Sequence, residues 1–206
     1  ADFRLLMDSV LQNVFPSSIR RTRTLTASIL FRIPLIREIC LWSGCIDASR
    51  KVAEKALERK RTLIVIPGGE AEQLRTEYGV ERTVLKNRKG FVKLAMRYNV
   101  PLVPVYVFGS NDLFYTRNTF YQARYWLMKK FRICIPLQRG VYGTFMPLPA
   151  RMTVVLGKPM IFKMKGDSPD IEELDAAHAQ FCEALVKLFD EHKDEAGYPD
   201  RSLIVE

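Results

Sequence analysis

Histidine is scarce in this sequence, and the cysteines form no recognisable pair. The two histidines, His178 and His192, both fall in one C-terminal amphipathic stretch, where their spacing places them on or beside the apolar face. Packing is the favoured interpretation of both, although Asp175 stands three positions before His178 and leaves an Asp–His couple open. There is no GxSxG motif, no CxxC pair and no cysteine with an obvious histidine partner. These absences argue against covalent catalysis, a metal site and a disulfide framework, and they suit a reducing compartment.

Long apolar runs are also absent. No segment approaches the roughly 18 consecutive apolar residues that span a bilayer, and residues 100–109, the longest run, are about strand length and contain two prolines. The first residues lead into an amphipathic stretch rather than a signal peptide. Any membrane anchor is therefore expected to be interfacial or to lie outside these residues. A first residue of Ala1 rather than Met suggests that the sequence belongs to a longer protein.

Acidic residues are missing from a long central segment. After Asp112 the next acid is Asp167, and ten Lys or Arg residues lie between them. Residues 1–166 carry a net charge of +18, whereas residues 167–206 carry −9. A basic body followed by an acidic C-terminal helix and tail predicts an anionic partner for the body, which could be a phosphorylated small molecule, an anionic lipid surface or nucleic acid.

The order of the apolar patterns predicts the fold. Helical and strand-like segments alternate along the chain, which favours an α/β fold with a mostly parallel sheet flanked by helices. With 48% hydrophobic residues in a chain of 206, a single domain over residues 1–206 is expected. The predicted helices are 3–14, 35–42, one that Asp47 or Ser49 caps, 91–98 and 171–195. The predicted strands are 22–30, 102–108, 152–156 and 62–66, the last of which is expected to be buried on both faces.

Two glycines and two acids follow the apolar run 62–66. Gly68 and Gly69 leave the backbone bare at the expected carboxyl end of a strand, which is where α/β proteins bind ligands. A helix that begins at this turn would offer free N–H groups to a phosphate. The alternative is an ordinary strand-to-helix turn in which Glu70 and Glu72 are favourable first-turn acids. The segment matches neither GxGxxG nor GxxxxGK[ST], so no nucleotide-binding fingerprint supports it.

A cluster of cations precedes the predicted helix 91–98. Asn87, Arg88 and Lys89 stand beside Gly90 at the expected start of this helix. Positive charge at a helix N-terminus opposes the helix dipole, so local helix stability does not account for these residues. An anion site accounts for them, and a solvated basic loop is the alternative. Together with the bare glycine turn, they predict a phosphate pocket.

Residues 109–150 are irregular and rich in aromatics and prolines, which predicts an insertion over one end of the sheet. Within them, residues 114–131 hold seven aromatics, four cations and no acid. An interfacial membrane helix uses this mixture of rings and long cationic side chains. Binding of single-stranded RNA by stacking and a helix packed on the core with a basic outer face are the alternatives. The predicted membrane-facing residues are Tyr121, Tyr125, Trp126, Lys129 and Lys130.

Six short blocks occur in order over nearly the whole chain, at residues 32–50, 66–72, 88–95, 102–109, 155–159 and 183–190. The second block reads Pro-Gly-Gly-Glu-Ala-Glu, a PGGxxE motif, and the third carries an Arg-Lys-Gly-Phe motif. Each block is modest alone, whereas six in the right order are specific. Together they resemble the diacylglycerol acyltransferase type-2 family, which is part of the glycerolipid acyltransferase superfamily.

The resemblance implies a glycerolipid-acyltransferase-like fold and transfer of a fatty acyl group from acyl-CoA to the hydroxyl of diacylglycerol, with monoacylglycerol and long-chain alcohols as alternative acceptors. It implies the cytosolic face of the endoplasmic reticulum membrane or a lipid-droplet surface, with acyl-CoA as co-substrate and no cofactor. Arg37 matches the arginine of the first block, and Glu72 matches the glutamate of the PGGxxE motif better than Glu70 does. The residues implied to hold the acyl-CoA phosphates or the developing oxyanion are Arg37, Gly68, Gly69, Glu72, Asn87, Arg88, Lys89 and Gly90.

The resemblance also implies a catalytic base that this sequence does not contain. The histidine of the family belongs to an HPHG block that precedes the six blocks, together with a membrane hairpin. By the spacing of the family it falls just upstream of Ala1, and neither His178 nor His192 matches it. The 206 residues alone are therefore expected to be inactive. The competing interpretation is a non-catalytic module that binds acyl-CoA or an anionic membrane, while a nucleic-acid partner is not expected because no RNA-binding signature accompanies the basic aromatic segment.

Overall fold

The computed structural model describes residues 22–117, 119–131, 137–166 and 168–206, and only the backbone of Phe131. The chain divides into two compact units, residues 1–66 and 67–206. A single domain over residues 1–206 and an insertion over 109–150 stay predictions. The predicted helix 3–14 lies outside the described residues.

The first unit alternates strands and helices. The three strands form a parallel sheet, in which the segment that begins at Thr22 lies between the other two. Because each parallel connection runs through a helix, the predicted α/β class is confirmed in this unit. Its elements are β1 (Thr22–Thr26), α1 (Ile36–Trp42), β2 (Cys45–Asp47), α2 (Arg50–Glu58) and β3 (Thr62–Ile64), with the sheet order β2–β1–β3.

Two strand predictions in this unit were wrong in extent or burial. The strand expected over residues 22–30 ends at Thr26, and Ser28–Arg32 form a 3-10 helix, because these residues lack the alternation that a strand requires. The run 62–66 is a strand only as far as Ile64. Thr62 is exposed and Ile64 is half-buried, because β3 is the outer strand of the described sheet rather than a central one.

The second unit contains three pairs of short strands and four helices among the described residues. Its elements are α3 (Gly69–Arg75), β4 (Arg82–Thr83), α4 (Gly90–Arg97), β5 (Val105–Phe108), β6 (Tyr115–Thr116), α5 (Tyr121–Phe131), β7 (Gln138–Arg139), β8 (Thr153–Leu156), α6 (Ile171–Ala196) and β9 (Ile204–Val205). The strand β4 pairs with β9 in parallel, whereas β5 pairs with β8 and β6 with β7 in antiparallel fashion.

The predicted strand 102–108 is shorter than expected because proline cannot donate to a strand ladder. Regular pairing begins only after Pro104, and Leu102 makes an isolated bridge to Met160. The predicted strand 152–156 is confirmed as β8, and its antiparallel register sets Val105 opposite Leu156.

The long helix α6 organises the core of the second unit. Asp170 caps its start by accepting a hydrogen bond from the Ile171 N–H at 2.7 Å, and Gly197 ends it in the left-handed conformation. Phe189 of this helix is fully buried and stacks on Phe108 of β5, with 5.1 Å between ring centroids. A second apolar cluster joins α6 to α4. None of the described helices has the length and apolar character needed to cross a membrane.

Candidate functional site

Glu72 is held in place by the end of β4. It lies in the first turn of α3, and its Oε2 accepts hydrogen bonds from the Thr83 hydroxyl at 2.6 Å and from the Val84 N–H at 2.9 Å. A carboxylate that accepts from both a hydroxyl and an N–H is fixed in orientation. Glu72 is therefore more than a favourable first-turn acid, because it ties α3 to β4.

The two glycines before Glu72 are required for different reasons. Gly68 has an ordinary helical backbone, but a Cβ at this position would stand only 2.6 Å from the Cβ of Glu72. Gly69 has a φ of +53°, which favours glycine, and a Cβ there would meet no atom within 4 Å. Gly68 thus makes room for Glu72, and the backbone of Gly69 is open.

The basic turn, which we define as residues 86–90, is fixed through its backbone. The N–H groups of Leu85 and Lys86 donate to the backbone carbonyl of Glu206 at 2.7 and 2.8 Å. The side chains of Asn87 and Arg88 are exposed, while Lys89 forms an ion pair with Asp175 at 2.5 Å. The turn is therefore anchored by the C-terminal residues and presents polar side chains to solvent.

Gly90 is the first residue of α4, and neither its backbone conformation nor its surroundings require a glycine. Its backbone is not left-handed, and a Cβ built on it would meet no atom within 4 Å. Alanine would stabilise a helix at such a position, since glycine loses more conformational freedom on folding.

Within the second unit, the structure brings together two of the predicted segments. Val84, whose N–H binds Glu72, directly precedes Leu85, whose N–H binds the backbone that anchors the basic turn. The backbone of residues 84–85 therefore binds the Glu72 carboxylate and leads directly into the basic turn. Arg37 lies in the first unit, where its side chain is 57% exposed and stands 3.9 Å from the Glu38 carboxylate. The binding roles of all these residues stay predictions.

The two histidines have packing and hydrogen-bonding roles within the second unit, in agreement with the interpretation favoured from the sequence. His178 is buried and its Nε2 donates to the carbonyl of Leu85 at 3.0 Å, while Nδ1 of His192 donates to the carbonyl of Leu188 in its own helix. The Asp175 carboxylate pairs with Lys89. Within the described residues, no group of three or more His, Cys, Asp and Glu side chains is placed to hold a metal ion.

Cys182 has a histidine neighbour that the sequence reasoning missed. Its Sγ lies 3.9 Å from both ring nitrogens of His178, one helical turn earlier. The four-residue spacing on one helix could have revealed this pair. Burial, with a smaller contribution from Glu183, raises the pKa of the Cys182 thiol, so the thiolate needed for nucleophilic attack is disfavoured at neutral pH.

A largely buried ion cluster, also missed, joins three distant parts of the second unit. Arg201 donates to Glu81 at 2.7 Å and to both oxygens of Asp112 at 2.8 and 2.9 Å. Glu81 also accepts from the Tyr106 hydroxyl at 2.6 Å and from the Asn111 amide at 2.8 Å. Burial and the Glu81 carboxylate raise the pKa of Tyr106, which keeps it a hydrogen-bond donor. The polar end of β5 is therefore used to hold the fold together.

The helix α5 has one packed face and one exposed basic aromatic face. Arg124 and Met128 are buried, and the helix lies against α3, where the Tyr121 hydroxyl accepts a hydrogen bond from Arg75 at 3.2 Å. On the outer face, the ammonium groups of two lysines cover aromatic rings at 4.9 and 4.8 Å from the ring centroids. These pairs are Lys129 over Tyr125 and Lys130 over Trp126, and Trp126 is 55% exposed.

A groove of about 650 Å³ runs along α6 beside β9. Its lining combines Cys182, Val186 and Val205 with three acids and one cation, Lys187. Because the acids outnumber the cation and repel phosphates, this groove does not fit the phosphates of acyl-CoA. The three acids are Glu183, Asp190 and Glu191.

The fold and these contacts describe an α/β protein in which the end of the short strand β4 links a PGGxxE turn to a basic turn. The family model described as diacylglycerol acyltransferase matches residues 7–206. The chain is 34% identical over 189 residues to human diacylglycerol O-acyltransferase 2, covering 84% of this chain and 48% of the relative. It is 36% identical over 184 residues to diacylglycerol O-acyltransferase 1 of Eremothecium gossypii, covering 84% and 40%.

A third relative, human diacylglycerol O-acyltransferase 2-like protein 6, is 33% identical over 208 residues, covering 91% of this chain and 60% of the relative. The chain thus spans about half the length of the curated relatives that it matches. No solved structure matches it. This chain belongs to the diacylglycerol acyltransferase family.

Proposed function

We propose that this chain supplies the acyl-CoA side of an enzyme that transfers a fatty acyl group to the free hydroxyl of diacylglycerol. The hydroxyl oxygen attacks the thioester carbonyl, and the carbon–sulfur bond breaks to release CoA and triacylglycerol. The names of the relatives support this reaction. Monoacylglycerol and long-chain alcohols are the alternative acceptors, and acyl-CoA is a co-substrate that needs no further cofactor.

The observation that carries the proposal is the unexplained glycine in the basic turn. Gly90 is required neither by packing nor by its backbone, and it stands beside the exposed Arg88 at the start of α4. A phosphate of acyl-CoA that approaches the N–H groups of α4 explains both the missing Cβ and the cations. Glu72 fixes the backbone just before this turn by accepting a hydrogen bond from the Val84 N–H. Arg37, in the first of the six blocks, stays a predicted contact of the phosphates.

The proton of the acceptor hydroxyl needs a base that this chain does not provide. His178 is buried against a backbone carbonyl and His192 is bonded within its own helix, so neither is placed to accept that proton. We assign the base to the histidine of the HPHG block that the family carries. The reaction takes place at a membrane surface, at the cytosolic face of the endoplasmic reticulum, where its lipid substrate lies.

The transferase proposal is tested by assaying labelled acyl-CoA with diacylglycerol, using the 206-residue chain and a longer chain that also carries the HPHG block. The longer chain should form triacylglycerol, and the 206-residue chain should not. In the longer chain, Gly90→Ala should raise the KM for acyl-CoA about tenfold, because a methyl group would stand where a phosphate approaches. It should also raise the free energy of unfolding by about 0.5 kcal/mol.

The matched control is Gly166→Ala, since a Cβ at Gly166 also meets no atom within 4 Å. This variant should leave the KM unchanged. A Gly90→Ala enzyme with an unchanged KM would contradict the phosphate assignment, and robust triacylglycerol formation by the 206-residue chain would contradict the assignment of the base.

A membrane contact through α5 is the second proposal, and the lysine–aromatic pairs on its outer face support it.

Lys129→Ala/Lys130→Ala should weaken flotation of the chain with anionic liposomes at least about tenfold, since each lysine near such a surface contributes about 1 kcal/mol. Binding to neutral liposomes should change less. Lys51→Ala/Lys55→Ala, which removes two exposed lysines from α2, is the control that should float as before. Flotation that is the same with anionic and with neutral liposomes would contradict this contact.

A further inference from the structure

The segment between β7 and β8 presents three large apolar side chains to solvent. Tyr142 is 99% exposed, Phe145 is 83% exposed and Met146 is 64% exposed. We call these three residues the hydrophobic tip. Single exposed apolar residues are common on protein surfaces, whereas three within five positions form a patch that calls for a physical reason.

The backbone of this segment is well fixed. The Gly140 N–H donates to the carbonyl of Thr144 at 2.6 Å, and the Val141 N–H donates to the carbonyl of Met146 at 2.9 Å. The Met146 N–H donates to the Thr144 hydroxyl at 3.1 Å. A further bond from the N–H of residue 148 to the carbonyl of residue 113, at 2.7 Å, fastens the segment to the rest of the unit. The hydrophobic tip is therefore exposed by a defined backbone conformation.

Tyr142 adds a second, independent observation. Its φ and ψ are +53° and +25°, in the left-handed region that a bulky residue avoids. Because its side chain is almost fully exposed, burial of the ring within this chain does not offset the strain. Such strain persists where the surrounding structure imposes it, and it is concentrated at functional positions.

Two exposed cations, Arg139 and Arg151, flank the hydrophobic tip in the sequence and favour an anionic partner. Residues 137–166 contain five Lys or Arg residues and no acid. The interface of a bilayer with anionic lipids offers both an apolar interior for the tip and negative headgroups for the cations. Exposed apolar side chains insert directly into such an interface, whereas a protein partner would have to supply a matching apolar pocket lined with acids. The five cations are Arg139, Arg151, Lys158, Lys163 and Lys165.

We propose that the hydrophobic tip inserts into the surface of an anionic lipid membrane while the flanking cations Arg139 and Arg151 contact the headgroups. This site goes beyond acyl transfer and is distinct from the outer face of α5. Its test contains no acyl-CoA, so its outcome does not depend on the transferase activity.

The test measures binding of the full chain to phosphatidylcholine vesicles with and without phosphatidylserine. Tyr142→Ser/Phe145→Ser should lower the partition coefficient on the anionic vesicles at least about tenfold, because two large apolar anchors are lost. Circular dichroism should stay unchanged, since both side chains lie in solvent and the loop is held by its backbone. Ile171→Ser is the matched control, because Ile171 is 75% exposed but stands beside Glu172 and Glu173; its binding should equal that of the unmodified chain.

A reporter at the tip separates insertion from other causes of weaker binding. Phe145→Trp, placed in a Trp42→Phe/Trp126→Phe background, should shift its emission to the blue on anionic vesicles and be quenched by brominated acyl chains. Unchanged emission on vesicles that bind the chain would overturn the proposal. So would self-association without vesicles that the tip variant abolishes, because the tip would then be an interface between copies of this chain.

Discussion

Replacing Arg201 with methionine is expected to lower the free energy of unfolding by about 3–5 kcal/mol, because the variant leaves buried charges without their counter-ion. The side chain of Glu81 is fully buried and that of Asp112 is 10% exposed, and both carboxylates share the guanidinium of Arg201. Methionine keeps much of the volume of arginine, so lost charge rather than lost packing dominates. Urea unfolding followed by circular dichroism measures the change.

The control for this prediction is Lys187→Met, which breaks an exposed pair with Glu191 at 3.8 Å in the same unit. It should cost less than about 0.5 kcal/mol, as exposed ion pairs do. The double variant Glu81→Gln/Arg201→Met should recover part of the loss, because one of the stranded charges is removed with its partner. Equal losses for Arg201→Met and Lys187→Met would show that the cluster does not stabilise the fold.

Gly68→Ala is expected to lower kcat/KM for acyl transfer about a hundredfold in the longer chain that carries the HPHG block, as small misplacements in a site do. The added methyl group overlaps the Cβ of Glu72, so α3 must shift and the carboxylate leaves Thr83 and Val84. The overlap should also lower the free energy of unfolding by about 1–3 kcal/mol. Steady-state kinetics at a temperature where the variant is folded separates the two effects.

Gly157→Ala provides the comparison. Its Cβ would stand 2.7 Å from the Pro104 side chain, so it should destabilise by overpacking to a similar degree, but at the β5–β8 pair rather than beside Glu72. The folded Gly157→Ala enzyme should therefore keep its kcat/KM. Equal loss of activity in the two variants would mean that general instability, rather than the orientation of Glu72, explains the effect of Gly68→Ala.

Local patterns predicted most of the described α-helices, because the apolar period of a helix lies within it. The predicted helix 171–195 is confirmed as α6 within one residue, since its apolar period runs along the helix. Helix 91–98 is confirmed as α4 in the same way, from its apolar period. The strand β8 was also recognisable, because its apolar run is bounded by loop residues.

Long-range contacts could not be predicted, because no local pattern records them. The strands β4 and β9 are two residues each and pair across more than a hundred positions. Arg201 and Glu81 look like ordinary surface charges until the fold brings them together. The sequence did single out Glu72 and Gly68. It did not show that glycine is needed at position 68 because a Cβ there would overlap the Glu72 side chain.

The pairing of β4 with β9 has a consequence for the order of events during synthesis. The strand β4 pairs with residues 204–205, and the N–H groups of Leu85 and Lys86 take their carbonyl acceptor from Glu206. Residues 204–206 leave the ribosome long after residues 82–86. The neighbouring side-chain pair, Arg82 with Glu206, joins positions 124 residues apart. The turn therefore gains its framework only when nearly all of these residues have been translated.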